Sequence, residues 1–252
     1  MFDLTGKVAL VTGGNGGIGL GFARGLAKAG ASIAVWGRNP DKNEEAISEL
    51  RGLGADAIAC ACDVASEDEV KAAFAATLDR FGHVDSVFAN AGVGSRGTRF
   101  ADMSLGEWQD VFRVNSEGVF LTLRTAIQHM TERARGGSLV ITASIASVMG
   151  MPRGEHYAAT KAGAIAIARG LAVEYGKAGI RANAVVPGWV ETEMTTDLFS
   201  TRGFSERVLT RIPATRWGEP SDFEAIAVYL ASDASRWHTG DAITIDGGYS
   251  VF

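Results

Sequence analysis

The sequence predicts an α/β fold, a doubly wound parallel sheet with helices on both faces, and three observations predict it. Short β-branched apolar runs alternate with helical patterns along the whole chain. The first run stops at a cluster of glycines. The chain has 252 residues, 46 % hydrophobic and 21 % charged, which suits one sizeable core better than two small ones. One domain over residues 1–252 is therefore expected, with no separate substrate domain.

Lys7 to Thr12 (KVALVT) has the make-up of a strand buried on both faces. After the glycines, Ile18, Phe22, Leu26 and Ala29 recur at helical spacing, and Gly30 stands where a left-handed C-cap would end the helix. Ser32 to Trp36, Ala57 to Cys62, Val84 to Ala89, Ser138 to Thr142 and Arg181 to Val186 read as further strands, and Ala242 to Asp246 as the last. Parallel strands joined by right-handed crossovers wind into a sheet whose ligand crevice lies at the strands' C-terminal ends. The irregular stretch from Val190 to Glu219 is long enough to be a substrate lid over residues 190–219.

A formal charge of −5 and a pI near 5.4 give no basic footprint for nucleic acid or an anionic membrane surface. Met1 to Lys7 lacks the pattern of a secretion signal, and no apolar run approaches membrane-spanning length, so a cytoplasmic protein with a small soluble ligand is expected. Cys60 and Cys62 read as reduced, buried thiols on one face of a strand. His83, His129, His156 and His238 lack metal-ligand spacing, and no metal site is expected.

Two segments carry chemistry. Gly13-Gly14-Asn15-Gly16-Gly17-Ile18-Gly19 lies between the first strand and its helix, where glycines admit a pyrophosphate to the backbone and the helix N-terminus stabilises its charge. This is a Rossmann-type dinucleotide turn. At the end of the second strand, an acid would bind the ribose 2′-hydroxyl of NAD and an arginine the 2′-phosphate of NADP. Gly37 and Arg38 stand there, which favours NADP over NAD, although Arg38 could instead pair with Asp41 or Glu44. Further on, Tyr157 and Lys161 are four apart on one helix face, where an ammonium can lower the phenol pKa toward the working range.

These features occur in one order together with Asn90-Ala91-Gly92, Asn115, Ser144, Pro187-Gly188 and the closing Asp246-Gly247-Gly248. In that order the chain resembles the short-chain dehydrogenases/reductases over nearly its whole length, departing at Ala89, where the family commonly has a second asparagine. The resemblance implies an NAD(P)-dependent oxidoreductase. Tyr157 would be the acid or base, Ser144 would hold the substrate oxygen, Lys161 would assist the phenol and bind the nicotinamide ribose, and Asn115 would position a water. Asp63 and Val64 would receive the adenine, Asn90, Ala91 and Gly92 would line the adenosine side, and Pro187, Gly188, Val190 and Thr192 would hold the nicotinamide amide. A homotetramer is implied as well.

Substrate choice should fall to the loop after Gly92, the residues before Tyr157 and the 190–219 segment, with Gly94, Met151, Arg153, Glu155, His156 and Trp189 as candidates. A small ketone, sugar or polyol is favoured. A 3-oxoacyl-acyl-carrier-protein reductase is the alternative, for which Arg96, Arg99, Arg133 and Arg135 could meet an acidic partner. A non-catalytic dinucleotide sensor or an oligomeric scaffold would have no use for the Ser144, Tyr157 and Lys161 set.

Overall fold

The computed structural model describes residues 2–201 and 203–252; Met1 and, within the 190–219 segment, Arg202 lie outside the described residues. The chain runs β1 (Val8–Thr12), α1 (Gly17–Lys28), β2 (Ser32–Gly37), α2 (Pro40–Gly52), β3 (Ala57–Ala61), α3 (Glu67–Phe81), β4 (Ser86–Ala89), α4 (Leu105–Phe112), α5 (Gly118–Arg133), β5 (Gly137–Thr142), α6 (Glu155–Tyr175), β6 (Ile180–Pro187), α7 (Glu193–Ser200), α8 (Phe204–Leu209), α9 (Glu224–Ala231) and β7 (Ala242–Ile245). All strand pairs are parallel, in the order β3-β2-β1-β4-β5-β6-β7.

Both faces of the central strands β1, β4, β5 and β6 are dry, and the edge strands β3 and β7 are partly exposed. Along β1, Val8 and Leu10 join the core under α3, α5 and α6, while Ala9 and Val11 join the one under α1, α2 and α9. This alternation between two apolar layers is why the strands read as unbroken hydrophobic runs. Helix α1 ends as expected: Gly30 is left-handed at φ +94°, and its N–H donates to Ala27 O. Residues Gly21 and Gly25 let α1 lie directly against the backbone of Pro220 and Glu224, where a β-carbon would come within 2.0 and 2.5 Å of carbonyl oxygens.

The strand order reverses between β1 and β4, and the crevice opens there at the strands' C-terminal ends. One expectation needs correction. The 190–219 segment is not irregular, because it contains α7, α8 and a parallel bridge from Val190 to Gly218. It is tied together by Phe199 stacked on Trp217 at 3.9 Å and by Trp189 edge-on to Phe204 at 5.2 Å. In addition, α4 and α5 form one continuous helix through a π turn at Arg113–Glu117, which contains Asn115.

Candidate active site

A cleft of about 480 Å³ opens at the C-terminal edge of the sheet. One end is built from the glycine turn. Gly13 and Gly17 are left-handed, at φ +62° and +49°, which admits the sharp exit from β1. Gly19 does not line the cleft: a β-carbon there would stand 2.2 Å from Gly13 O, so its task is to let α1 close onto the turn. Asn15, Gly16, Gly17 and Ile18 present backbone and small side chains to the cleft at the start of α1.

The end of β2 forms the next wall. Gly37 is hemmed in by Asn15 and Asn43, whose side chains are hydrogen-bonded to each other at 2.7 Å, and Asn43 Nδ2 donates to Gly37 O. Arg38 lines the cleft and is exposed, and among the described residues no carboxylate pairs with it, neither Asp41 nor Glu44. Asp63 follows β3; its Oδ1 accepts from Ala65 N, which leaves Oδ2 for another donor, and Val64 packs behind it against Gly118.

Asn90 ties three strand ends together. Its Nδ2 donates to Thr12 O, its Oδ1 accepts from Thr142 Oγ1, and its N–H, like that of Ala91, donates to Thr12 Oγ1. With the side chain so engaged, the 90–92 segment can offer a ligand mainly its backbone. A β-carbon on Gly92 would stand 3.2 Å from Asn115 Oδ1 and 3.4 Å from Lys161 Nζ, so the missing side chain lets these groups approach.

The reactive end gathers Ser144, just past β5, with Tyr157 and Lys161 on one face of α6. Lys161 is buried, its Nζ donates to Thr142 O at 2.8 Å, and it lies 5.7 Å from the centroid of the Tyr157 ring. Burial depresses the lysine from its ordinary value to about 8. The tyrosine differs from expectation: burial raises its pKa, and the Ser144 hydroxyl opposes the rise only in part. Asn115 lies beneath the cleft, not on its surface. Its Oδ1 accepts from Val93 N, and its Nδ2 donates to Val93 O and Thr160 Oγ1, so its amide protons are spent on clamping the loop to α6. Any water it positions must use another of its groups.

Pro187, Gly188, Val190 and Thr192 line the opposite wall. A β-carbon on Gly188 would come within 2.6 Å of Asp246, which explains the glycine. The sequence reading missed Lys42, Glu193 and Met194 in the same lining. Lys42 and Glu193 are 151 positions apart, and no local pattern joins them.

The substrate candidates divide: the loop after Gly92 meets the 151–155 segment through Ser95 Oγ, which donates to Arg153 O, while Trp189 and His156 lie elsewhere. Trp189 packs into the aromatic cluster of Phe204 and Tyr249, and His156 is wholly buried and stacked on Trp108. Glu155 Oε1 accepts from Arg153 N. Met151 packs around Gly154, and Gly94 faces Met194. None of these candidates lines the cleft itself. Cys62 does, as a free thiol that burial pushes up to about 12, too high for a nucleophile, and Cys60 is free and half-buried.

A family model described as "Enoyl-(Acyl carrier protein) reductase" matches residues 13–250. The 2,5-dichloro-2,5-cyclohexadiene-1,4-diol dehydrogenase of Sphingobium indicum is 38 % identical over 252 residues, 100 % of each chain. The 3-oxoacyl-[acyl-carrier-protein] reductase of Chlamydia pneumoniae is 36 % identical over 97 % of each. The crystal structure of a gluconate 5-dehydrogenase from Burkholderia cenocepacia in complex with NADP and tartrate superimposes with a TM-score of 0.94 at 35 % identity, covering 100 % of this chain and 98 % of that one. The chain belongs to the short-chain dehydrogenase/reductase family. It is a nicotinamide-dependent oxidoreductase acting on CH–OH and C=O groups.

Proposed function

We propose an NADP-preferring reductase or dehydrogenase of a small ketone, sugar or polyol, with Ser144, Tyr157 and Lys161 as its catalytic residues. The convergence of these three at one end of a glycine-floored cleft carries the reading. The residues fit a dinucleotide. The glycine turn and the start of α1 would hold the pyrophosphate, Asp63 Oδ2 the adenine amino group, and Pro187 to Thr192 the nicotinamide amide. The bound cofactor supplies or accepts the hydride. Ser144 Oγ holds the substrate oxygen, and Tyr157 gives that oxygen a proton in reduction or takes one in oxidation. Lys161, with one proton committed to Thr142 O, has two left to support the phenolate and the ribose.

NADP is favoured because Arg38 is a guanidinium at the ribose end with no carboxylate paired to it among the described residues, and because Gly37 supplies no carboxylate to read a 2′-hydroxyl. The small-substrate reading is favoured over a carrier-protein partner by the placement of two of the four arginines. Arg133 is largely buried and pairs with Asp85. Arg133 and Arg135 also flank the start of β5, at the far end of the sheet from the cleft. The homotetramer follows from family membership alone, and light scattering would test it.

The deciding experiment pairs a titration of NADPH and NADH with turnover on free ketones, sugars and polyols against acyl-carrier-linked 3-oxo groups. Tighter NADPH binding, lost in Arg38→Ala, and faster turnover of the free compounds are expected. Equal binding of both cofactors would overturn the NADP assignment, and faster acyl-carrier turnover would overturn the substrate assignment.

A further inference from the structure

The two sides of the cleft are joined by an ion pair. Lys42 lies in the first turn of α2, on the wall that carries Arg38, and Glu193 is the first residue of α7, on the opposite wall. The Lys42 ammonium donates to both carboxylate oxygens of Glu193, each at 2.5 Å. The position of Glu193 is fixed by its own helix start: Thr192 N donates to Thr195 Oγ1, and the Thr192 methyl lies 3.1 Å from where a β-carbon on Gly17 would stand. A carboxylate thus stands beside the phosphate-binding turn, on a cation four residues beyond Arg38.

We propose that Lys42 is a second reader of the cofactor's 2′-phosphate and that Glu193 competes for it, so cofactor preference is set by Arg38, Lys42 and Glu193 together. The inference rests on the reading of the cleft as a dinucleotide site. A dianionic phosphate held by Arg38 within reach of Lys42 offers the ammonium a stronger partner than one carboxylate does. A ligand ending in a 2′-hydroxyl has no such partner to offer, and it leaves the Lys42–Glu193 pair intact. The side chains are 38 % and 82 % exposed, so the pair is weak enough for a phosphate to displace. Glu193 therefore costs the phosphate-bearing cofactor some affinity and leaves the other unaffected.

The test is calorimetric titration of adenosine 2′,5′-bisphosphate and of AMP, which differ at the 2′ position and need no turnover, into the wild type, Arg38→Ala, Lys42→Met, Glu193→Gln and the Lys42→Met/Glu193→Gln double variant. Lys42→Met should weaken the bisphosphate roughly tenfold and leave AMP unchanged. Glu193→Gln should strengthen the bisphosphate roughly two- to fivefold, a gain that vanishes at high salt and in the Lys42→Met background. A wild type without 2′-phosphate preference would overturn the NADP assignment itself. If preference were present and lost in Arg38→Ala but intact in Lys42→Met, the role of Lys42 would fall alone. If Glu193→Gln moved both ligands equally, or acted fully without Lys42, the competition would fall.

Discussion

A β-carbon on Gly37 would stand 2.3 Å from the side-chain nitrogen of Asn15, and 2.5 Å from Asn43 Oδ1 on its other flank. A side chain at the end of β2 would therefore have to push both asparagine side chains aside. Gly37→Asp, the obvious substitution for turning the site toward NADH, has to displace the Asn15–Asn43 hydrogen bond that closes the glycine turn against α2. It should cost ~1–3 kcal/mol of stability and weaken both cofactors. Urea unfolding and paired cofactor titrations would check this, and a variant of wild-type stability that gains NADH affinity would refute it.

Tyr157→Phe removes one oxygen from the reactive end and leaves the ring that packs near Lys161. Fold and cofactor affinity should be retained, with turnover reduced by about 10²- to 10⁴-fold, the usual contribution of a positioned proton donor. The check is kcat beside cofactor Kd on the purified variant. Retained turnover would remove Tyr157 from the mechanism.

The strands were legible because a strand buried on both faces must be apolar throughout and stop where the chain turns. Val8–Thr12 against an expected Lys7–Thr12 shows how sharply the glycines of the turn mark that stop. The glycines of the cleft wall were legible for a related reason, since Gly13, Gly17 and Gly188 answer to backbone demands that leave only glycine. The 190–219 segment was not, because α7 and α8 are short and are held by aromatic partners as distant as Phe199 and Trp217. Sequence position offered His156 and Trp189 as substrate contacts, and the structure packs them against Trp108 and Phe204, off the lining of the cleft. The state of Tyr157 was misjudged because burial, which spacing cannot reveal, outweighs its neighbours.

Asn90 joins β1, β4 and β5 through Thr12 and Thr142, and Asn90→Ala leaves Thr12 O and Thr142 Oγ1 each short of a partner. The loss should be ~1–3 kcal/mol. Cofactor affinity should also fall, because the backbone of Ala91 and Gly92 is no longer held at the edge of the cleft. Thermal unfolding and NADPH titration measure the two effects. Full stability with weakened binding would make Asn90 a direct ligand contact and not a clamp.

Lys161 gives the fold a pH signature whose sign follows from its depressed pKa. Burial brings it from 10.5 to about 8, so below about 8 both folded and unfolded chains carry the ammonium, and the folded state bears the whole cost of burying it. Between about 8 and 10.5 the unfolded chain stays protonated while the folded one has released its proton, so stability rises with pH across that window. Above 10.5 both are neutral and the cost is gone. The rise amounts to ~3 kcal/mol at most, from about 2.5 pKa units. Lys161→Met has no proton to release, so the stability difference between wild type and variant should shift in favour of the wild type as pH is raised from about 7 to about 10.5. Urea unfolding of both proteins across that range isolates the effect from other groups that titrate there. A difference that stays flat would mean that Lys161 keeps an ordinary pKa and that its ammonium is solvated in the folded protein.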